Sequence, residues 1–249
     1  MRYQLGLWGL SYAILASGCS LEDVDSDAIR TQGIFADILA LAPGDGSTLV
    51  RVQLTVGGDD GTNVTLVGDD RLEAQVGEIT ERLGRSGRGR YEQRISGDSP
   101  SEVSLRLLRG EENDPASASA QLPEGFMIAL DTDSAAGISR GTPVIVSWTP
   151  PVSGGLIGWE VEGSCIWTES GQTPDDGSLT LAATTFRVRA TQIGEDCEVQ
   201  VTLDRQNDGV VDGVLIPGSR FRAIQRRRLS FASTPAAAEL GVEPAPDAG

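Results

Sequence analysis

The stretch TLVRVQLTV, residues 48–56, carries the pattern that decides the fold of this chain. Its apolar residues Val50, Val52 and Leu54 alternate with polar residues. Successive side chains of a strand point to opposite faces of a sheet, so this alternation predicts a strand with one buried face. The same pattern predicts further strands in residues 144–148, 159–167, 185–190 and 197–203.

Clusters of Gly, Pro, Asp and Asn separate these strands. They occur at residues 43–46, 57–61, 68–70, 150–151, 174–177 and 207–209. Such residues favour turns, and many short strands between turns are typical of antiparallel sandwiches or barrels. We therefore predict an all-β fold, an antiparallel β-sandwich, with helix limited to a turn or two in residues 78–83.

The length of 249 residues is sufficient for two buried cores. Residues 111–119 are polar and small, which predicts a division between a β-sandwich domain 1 at residues 31–118 and a β-sandwich domain 2 at residues 119–232. One large sandwich with this segment as a long loop remains open. Residues 233–249 contain Pro, Ala, Glu and Gly, and we expect a disordered tail there.

Charge composition excludes several functions. The chain has 36 acidic and 20 basic residues, a formal net charge of −16, and no His; every base is Arg. Without His there is no Ser-His-Asp catalysis and no His-ligated metal. The acidic balance argues against nucleic acid or an anionic membrane surface as a partner. We expect no enzymatic activity.

The N-terminus carries an export pattern. An apolar stretch at residues 5–16 is too short to span a membrane and has the length of a secretory signal. It ends in LASGC at residues 15–19, which resembles the lipobox of bacterial lipoproteins. The resemblance implies that residues 1–18 are a cleaved signal peptide and that Cys19 carries the lipid anchor. An ordinary signal followed by a chance cysteine is the alternative.

The same resemblance implies a location. Ser20, and not Asp, follows Cys19, which in the family's sorting rule favours the outer membrane. Whether the chain faces the periplasm or the outside stays open. Residues 19–30 are acidic and have no apolar face, so we predict a tether there.

The second half resembles the immunoglobulin-like and fibronectin-like modules of bacterial surface proteins. The resemblance rests on TPVIVSWTP at residues 142–150 and on two cysteines that alternation points inward. It implies two immunoglobulin-like domains in tandem. Trp148 precedes both cysteines, which departs from the antibody pattern.

Cys165 and Cys197 are predicted to form a structural disulfide. Export places them in an oxidising compartment, where a pair of thiols is expected to join. The closed loop of about 33 residues would contribute roughly 3–4 kcal/mol in the chain-entropy model. A redox-active pair is disfavoured because the spacing is not Cys-x-x-Cys.

Residues 204–213 resemble a calcium loop because oxygen side chains occur at alternate positions before a Gly. Asp204, Asp208 and Asp212 are the candidate calcium ligands, and we expect no other cofactor. The twelfth position is Leu215, where calcium loops have Glu, and a hairpin turn at residues 207–209 explains the same letters. Other acidic pairs are assigned to solvation: Asp59 with Asp60, Asp69 with Asp70, and Asp175 with Asp176.

Arginines cluster twice. Arg82, Arg85, Arg88, Arg90 and Arg94 alternate with glycines and predict either a solvated mobile loop or a grip on an anionic partner such as a lipid headgroup or polysaccharide phosphate. Residues 226–228 are three arginines within the last strand, where a bulge or an edge position would expose them.

Together these patterns predict a non-catalytic, lipid-anchored envelope lipoprotein that acts as a binding or structural module. Its partners would be the membrane, through the anchor, and an unknown envelope or surface ligand, with no nucleic acid. A calcium-stabilised surface adhesion module is the first alternative. A carboxylate-based hydrolase of envelope polysaccharide is the second, and it needs two acids held about 5–10 Å apart in a cleft.

Overall fold

The computed structural model describes residues 23–110, 114–131 and 137–241. The predicted signal peptide, Cys19 with residues 20–22 of the predicted tether, and residues 242–249 of the predicted tail lie outside these ranges. The strands of the first half are β1 Val24–Asp25, β2 Ile34–Ala42, β3 Ser47–Val56, β4 Thr62–Thr65, β5 Arg71–Val76, β6 Ile79–Arg82, β7 Gly84–Gly87, β8 Arg90–Ser96, β9 Glu102–Leu108 and β10 Ala116–Gln121.

The second half continues with strands and short 3-10 helices. The strands are β11 Met127–Leu130, β12 Ile138–Ser139, β13 Val144–Thr149, β14 Leu156–Gly163, β15 Glu169–Pro174, β16 Ser178–Leu181, β17 Cys197–Asp208, β18 Val210–Val211 and β19 Arg220–Thr234. The 3-10 helices of the described residues are Ser26–Ala28, Thr31–Gly33, Ala183–Thr185 and Ala190–Gln192. None of the helices in these ranges is long and apolar enough to cross a membrane.

One large sheet runs through the molecule in the order β1-β4-β3-β2-β19-β17-β14-β15, and β7, β8 and β12 join it at its sides. Two smaller sheets, β18-β10-β9-β5-β6 and β11-β13-β16, complete the sandwiches. Most neighbours are antiparallel; β2 and β12 pair with β19 in parallel, and β1 with β4. The predicted all-β, antiparallel sandwich is confirmed.

Two hydrophobic cores lie between these layers. The first core joins β2 and β3 of the large sheet to β5, β9 and β10, with Ile38, Val52 and Leu72 fully or almost fully buried. The second core joins β14 and β17 to β13, with Ile157 and Val201 buried. Each such side chain contributes about 1.5–3 kcal/mol on burial.

Strand β19 belongs to both cores. Phe221 packs in the first core and Phe231 in the second, ten residues further on, which is about 33 Å along a strand. The predicted division between residues 118 and 119 differs from this arrangement, because it falls inside β10. Leu215 also returns to the first core. The small and polar composition of residues 111–119 predicted a linker. The alanines of β10 nevertheless face the first core, because this part of the segment is a strand.

Three local predictions are wrong. Residues 78–83 contain β6, Ile79–Arg82, and not a helical turn. The strand predicted at residues 185–190 is replaced by the ends of two 3-10 helices and the segment between them, which has a single bridge between Val188 and Ile166. The turn at residues 207–209 is absent, because β17 continues to Asp208, opposite Arg222 of β19, and residues 209–219 make the connection.

Both ends of the described chain are docked. Residues 23–30 were predicted as a tether, yet Ser26 is buried and the Arg109 guanidinium donates hydrogen bonds to the carbonyl oxygens of Ser26 (2.6 Å) and Ile29 (2.9 Å). At the other end, Arg140 binds Glu239 at 2.7 Å with its side chain 1% exposed. The prediction of disorder is therefore wrong for residues 233–241.

Candidate functional site

The described chain begins four residues after Cys19, at an acidic residue that is held by arginines. The guanidinium groups of Arg85 and Arg88 each donate to a different carboxylate oxygen of Asp23, both at 2.8 Å. The Thr65 hydroxyl donates at 3.3 Å. The hydrogen bond from Arg88 is the main cause that holds the pKa of Asp23 below its ordinary value. Asp23 is therefore a fixed carboxylate on the first core.

A cavity of about 370 Å³ opens next to Arg85 and is bordered by β5, β6, β7 and β8. We call it the arginine cavity. Its apolar walls are Leu66, Leu72, Leu83 and Tyr91. Its polar lining is Asp70, Arg71, Arg82, Gly84 and Arg85.

Local sequence explains how the cavity forms. Leu83, between β6 and β7, is buried and its backbone N–H donates to the Leu72 carbonyl oxygen at 2.9 Å. All four residues of β6 are exposed, and so are all four of β7. Leu83 is thus the buried residue of a stretch whose two strands are exposed and pair with β5 and β8, and the arginines on either side of Leu83 flank the cavity.

Most charges of the cavity have partners. Asp70 accepts from the buried Arg109 guanidinium at 2.8 Å and from the Gly110 N–H at 2.7 Å. Arg71 binds Glu73 at 2.8 Å. Within the part of the chain that the structure describes, the Arg82 side chain makes no hydrogen bond and no ion pair, although Arg82 lies opposite Glu73 in the register of β5 and β6. The cavity therefore offers one guanidinium without a hydrogen-bonded partner.

Tyr91 is a wall of the cavity and not an acid or base. Its hydroxyl accepts from the Leu66 N–H at 2.7 Å and lies 3.3 Å from the Val64 carbonyl oxygen. Burial raises the pKa of Tyr91 above its ordinary value. Guanidinium donors beside apolar walls suit the binding of an anion.

The predicted arginine cluster is only partly brought together. Arg82 and Arg85 line the cavity, Arg88 holds Asp23, and Arg90 is exposed at the start of β8. Arg94 lies towards the other end of β8, where its guanidinium forms an ion pair with the Asp45 carboxylate at 3.3 Å. The prediction of a mobile loop is wrong, because residues 79–96 contain β6, β7 and β8. Binding of an anionic partner stays a prediction.

The calcium candidates are not brought together. Asp204 and Asp208 lie on the same strand four residues apart, about 13 Å. Asp204 binds Arg226 through two hydrogen bonds, and Asp212 accepts from the Val214 N–H at 3.1 Å. In the described ranges, no three His, Cys, Asp or Glu side chains form a group that could hold a metal ion.

The disulfide between Cys165 and Cys197 is confirmed, with a Cα–Cα distance of 5.9 Å. It joins the segment after β14 to the start of β17. Cys165 is buried in the second core, while Cys197 packs against it from a partly buried position. The bond therefore closes the second core.

One buried ion pair has no signal in the sequence. The prediction that Asp175 serves solvation is wrong, because Asp175 is 3% exposed and accepts two hydrogen bonds from Arg205 and one from the Trp148 indole N–H at 2.6 Å. Burial opposes ionisation, but these hydrogen bonds outweigh it and lower the pKa of Asp175. Arg205 also donates to the carbonyl oxygens of Glu124 and Pro150 and stacks over Phe126, 4.5 Å from the ring centroid.

The arginines at residues 226–228 lie on a regular part of β19. Of the two predicted explanations, the bulge is absent, because they pair with β17 in unbroken register. On the other side β2 pairs only as far as Gln225, so the arginines occupy an edge position there. Arg226 binds Asp204, and Arg227 donates to the Phe126 carbonyl oxygen at 2.7 Å. Two of the three charges are therefore used within the fold.

Comparisons with known proteins add little to this geometry. No protein-family model and no curated protein matches the chain. Among solved structures, the native conformation of Escherichia coli alpha-2-macroglobulin, determined by cryo-electron microscopy, is similar with 11% identity and a TM-score of 0.24. The match covers 82% of this chain and 14% of that one.

Proposed function

We propose that this chain is a non-catalytic, lipid-anchored envelope lipoprotein that acts as a binding or structural module. The lipobox at residues 15–19 supplies the anchor, with acyl chains on Cys19, and Ser20 directs the chain to the outer membrane. The partner is the membrane to which the anchor attaches, together with an envelope ligand at the arginine cavity.

One observation carries this proposal: the chain is docked from Asp23 onward. Four Cα steps separate Cys19 from Asp23, which is at most about 14 Å. Asp23 is held by Arg85 and Arg88, and the next turn is held by Arg109. A lipid on Cys19 would therefore hold the first core close to the membrane, since at most about 14 Å of chain separates the two.

A binding role is favoured over catalysis by the chemistry of the arginine cavity. Its charged groups are arginines, which do not lose a proton in proteins, and Asp70, which is paired with Arg109. The cavity can hold an anion by hydrogen bonds, whereas both oxygens of its carboxylate, Asp70, already accept hydrogen bonds from Arg109 and the Gly110 N–H.

Mass spectrometry of the chain purified from the membrane of a Gram-negative host tests the anchor. We expect an N-terminal peptide that begins at Cys19 and carries acyl chains. A Cys19→Ser variant should keep residues 1–18 and carry no acyl mass. A Cys165→Ser, Cys197→Ser variant is the matched control and should be acylated at Cys19. A mature chain that begins elsewhere, or a Cys19 without acyl mass, would overturn the proposal.

A Ser20→Asp variant tests the location. In a host that follows the family's sorting rule, this change should move the acylated chain from the outer to the inner membrane fraction. Wild-type chain found in the inner membrane fraction would contradict the outer-membrane location and leave the anchor itself standing.

A further inference from the structure

We propose that the arginine cavity binds the phosphate group of an anionic lipid headgroup in the membrane that holds the anchor. This inference rests on the lipid anchor proposed above for its choice of ligand. The ligand class is a phosphate diester with a small polar head, as in phosphatidylglycerol.

The chemistry of the cavity fits a phosphate. Arg82 is exposed and without a partner in the described ranges, so its guanidinium fork is available for two parallel hydrogen bonds to phosphate oxygens. Arg85 lines the same cavity and keeps about half of its side chain exposed while it holds Asp23. The volume of about 370 Å³ falls in the range of ligand pockets, about 300–1,000 Å³.

The walls favour a lipid headgroup over a bare inorganic anion. Leu66, Leu83 and Tyr91 present apolar atoms beside the guanidinium groups. A glycerol backbone and the first carbons of an acyl chain could cover these atoms, whereas inorganic phosphate could not. An amphipathic ligand therefore uses both parts of the lining.

Position supports the same ligand. Arg85 binds Asp23 directly, so the cavity lies next to the residue at which the chain leaves the first core towards Cys19. With at most about 14 Å of chain between Asp23 and Cys19, the acyl chains of the anchor insert into the bilayer within reach of the cavity. Headgroups are thus present there at high effective concentration.

Net charge sets a limit on this interaction. The whole chain carries −16, which argues against adsorption to an anionic surface. At physiological salt, however, exposed charges farther apart than about 8 Å are largely screened. A phosphate in the arginine cavity would interact chiefly with Arg82 and Arg85, so binding should depend on single residues of the cavity and not on the net charge.

Vesicle flotation of a chain without its anchor tests the inference. Residues 20–249, exported behind a cleavable signal, keep every described strand and have no Cys19. We expect them to float with vesicles of phosphatidylglycerol and phosphatidylcholine, and not with phosphatidylcholine alone. The Arg82→Ala variant should bind about fivefold more weakly, as expected for one basic residue at an anionic surface.

Arg90→Ala is the matched control. Arg90 is also exposed and without a partner in the described ranges, and it lies on β8 outside the cavity lining, so the two variants lose the same charge. We expect Arg90→Ala to bind within twofold of wild type. Equal losses in both variants would show diffuse attraction and overturn a site in the cavity.

Two further outcomes would overturn the inference. Absence of flotation with phosphatidylglycerol vesicles would do so, and so would a chain stabilised by inorganic phosphate that does not bind vesicles, which would be a free-phosphate site. Neither outcome affects acylation of Cys19, which the mass measurement reports separately. Failure of the anchor and failure of the headgroup site are therefore distinguishable.

Discussion

The two cores of this molecule are closed in different ways. In the first core, Arg109 binds Asp70 and the backbone of the N-terminal segment, and residues 23–122 contain no cysteine. In the second core, Arg205 binds Asp175 and the backbone at Glu124 and Pro150, and a disulfide adds a covalent closure.

Both cores contain the same arrangement, a buried arginine that donates to a carboxylate and to backbone carbonyl oxygens. A guanidinium cannot be neutralised, so a buried arginine must satisfy its donors with a carboxylate and carbonyl oxygens. Arg109 thereby fixes the segment that leads to Cys19, whereas Arg205 fixes the joint between the two cores, where Glu124 lies. The first core thus holds the N-terminal end of the described chain, whereas the second core holds the C-terminal end through the ion pair of Arg140 with Glu239.

The largest expected effect is at Arg205. The Arg205→Ala variant leaves Asp175 buried without its partner, and we expect the free energy of unfolding to fall by about 3–5 kcal/mol. Urea unfolding followed by tryptophan emission measures this directly, because Trp148, Trp159 and Trp167 all lie in the second half of the chain.

Arg226→Ala is the control for that change. Its ion pair with Asp204 is about a quarter exposed on each side, so solvent screens it more than the Arg205 pair and we expect a smaller loss than for Arg205→Ala. Equal effects of the two substitutions would show that burial of the Arg205 pair does not matter.

Removal of the disulfide comes next. Cys165→Ala with Cys197→Ala should lower the free energy of unfolding by about 3–4 kcal/mol through the freed loop. Urea unfolding of wild type with a reductant should give the same shift of the midpoint. An identical midpoint with and without reductant would remove the disulfide from the account of how the second core is closed.

Acid should weaken the second core through Asp175. Its pKa is lowered in the folded chain, so the stabilisation is fully present above the unfolded pKa of about 3.9 and is lost as pH falls through the folded value. Each unit of difference corresponds to about 1.4 kcal/mol. Unfolding of wild type and Asp175→Asn at pH 7, 5 and 3 measures this; equal acid sensitivity of the two would contradict it.

Part of the fold could be predicted from sequence because its signal is local. Residues 48–56 alternate with period two, and β3 spans Ser47–Val56 with Val50, Val52 and Leu54 buried. The disulfide could be predicted because two cysteines lie in a domain that the N-terminal pattern predicts to be exported. In β6 all residues are exposed, so no alternation marked it as a strand, and a helical turn was expected.

The rest depends on contacts between residues far apart in sequence. Arg109 donates to the Ser26 carbonyl oxygen, 83 residues away in sequence, and Arg140 binds Glu239, 99 residues away. No local sequence pattern predicts either pair. Consequently both chain ends were expected to be free. For the candidate site, the sequence shows the cluster of arginines. The leucines that line the cavity beside them are brought there by strand pairing and could not be predicted.

Hydrogen exchange of the acylated chain in phosphatidylglycerol-containing vesicles tests the central claim most directly, namely that the first core lies against the membrane. Compared with the same chain in detergent micelles, we predict slower exchange in β6 and β7 and in residues 23–31, with residues 144–208 unchanged. Slower exchange confined to residues 144–208 would contradict the account, because the second core would then be the part that meets the membrane.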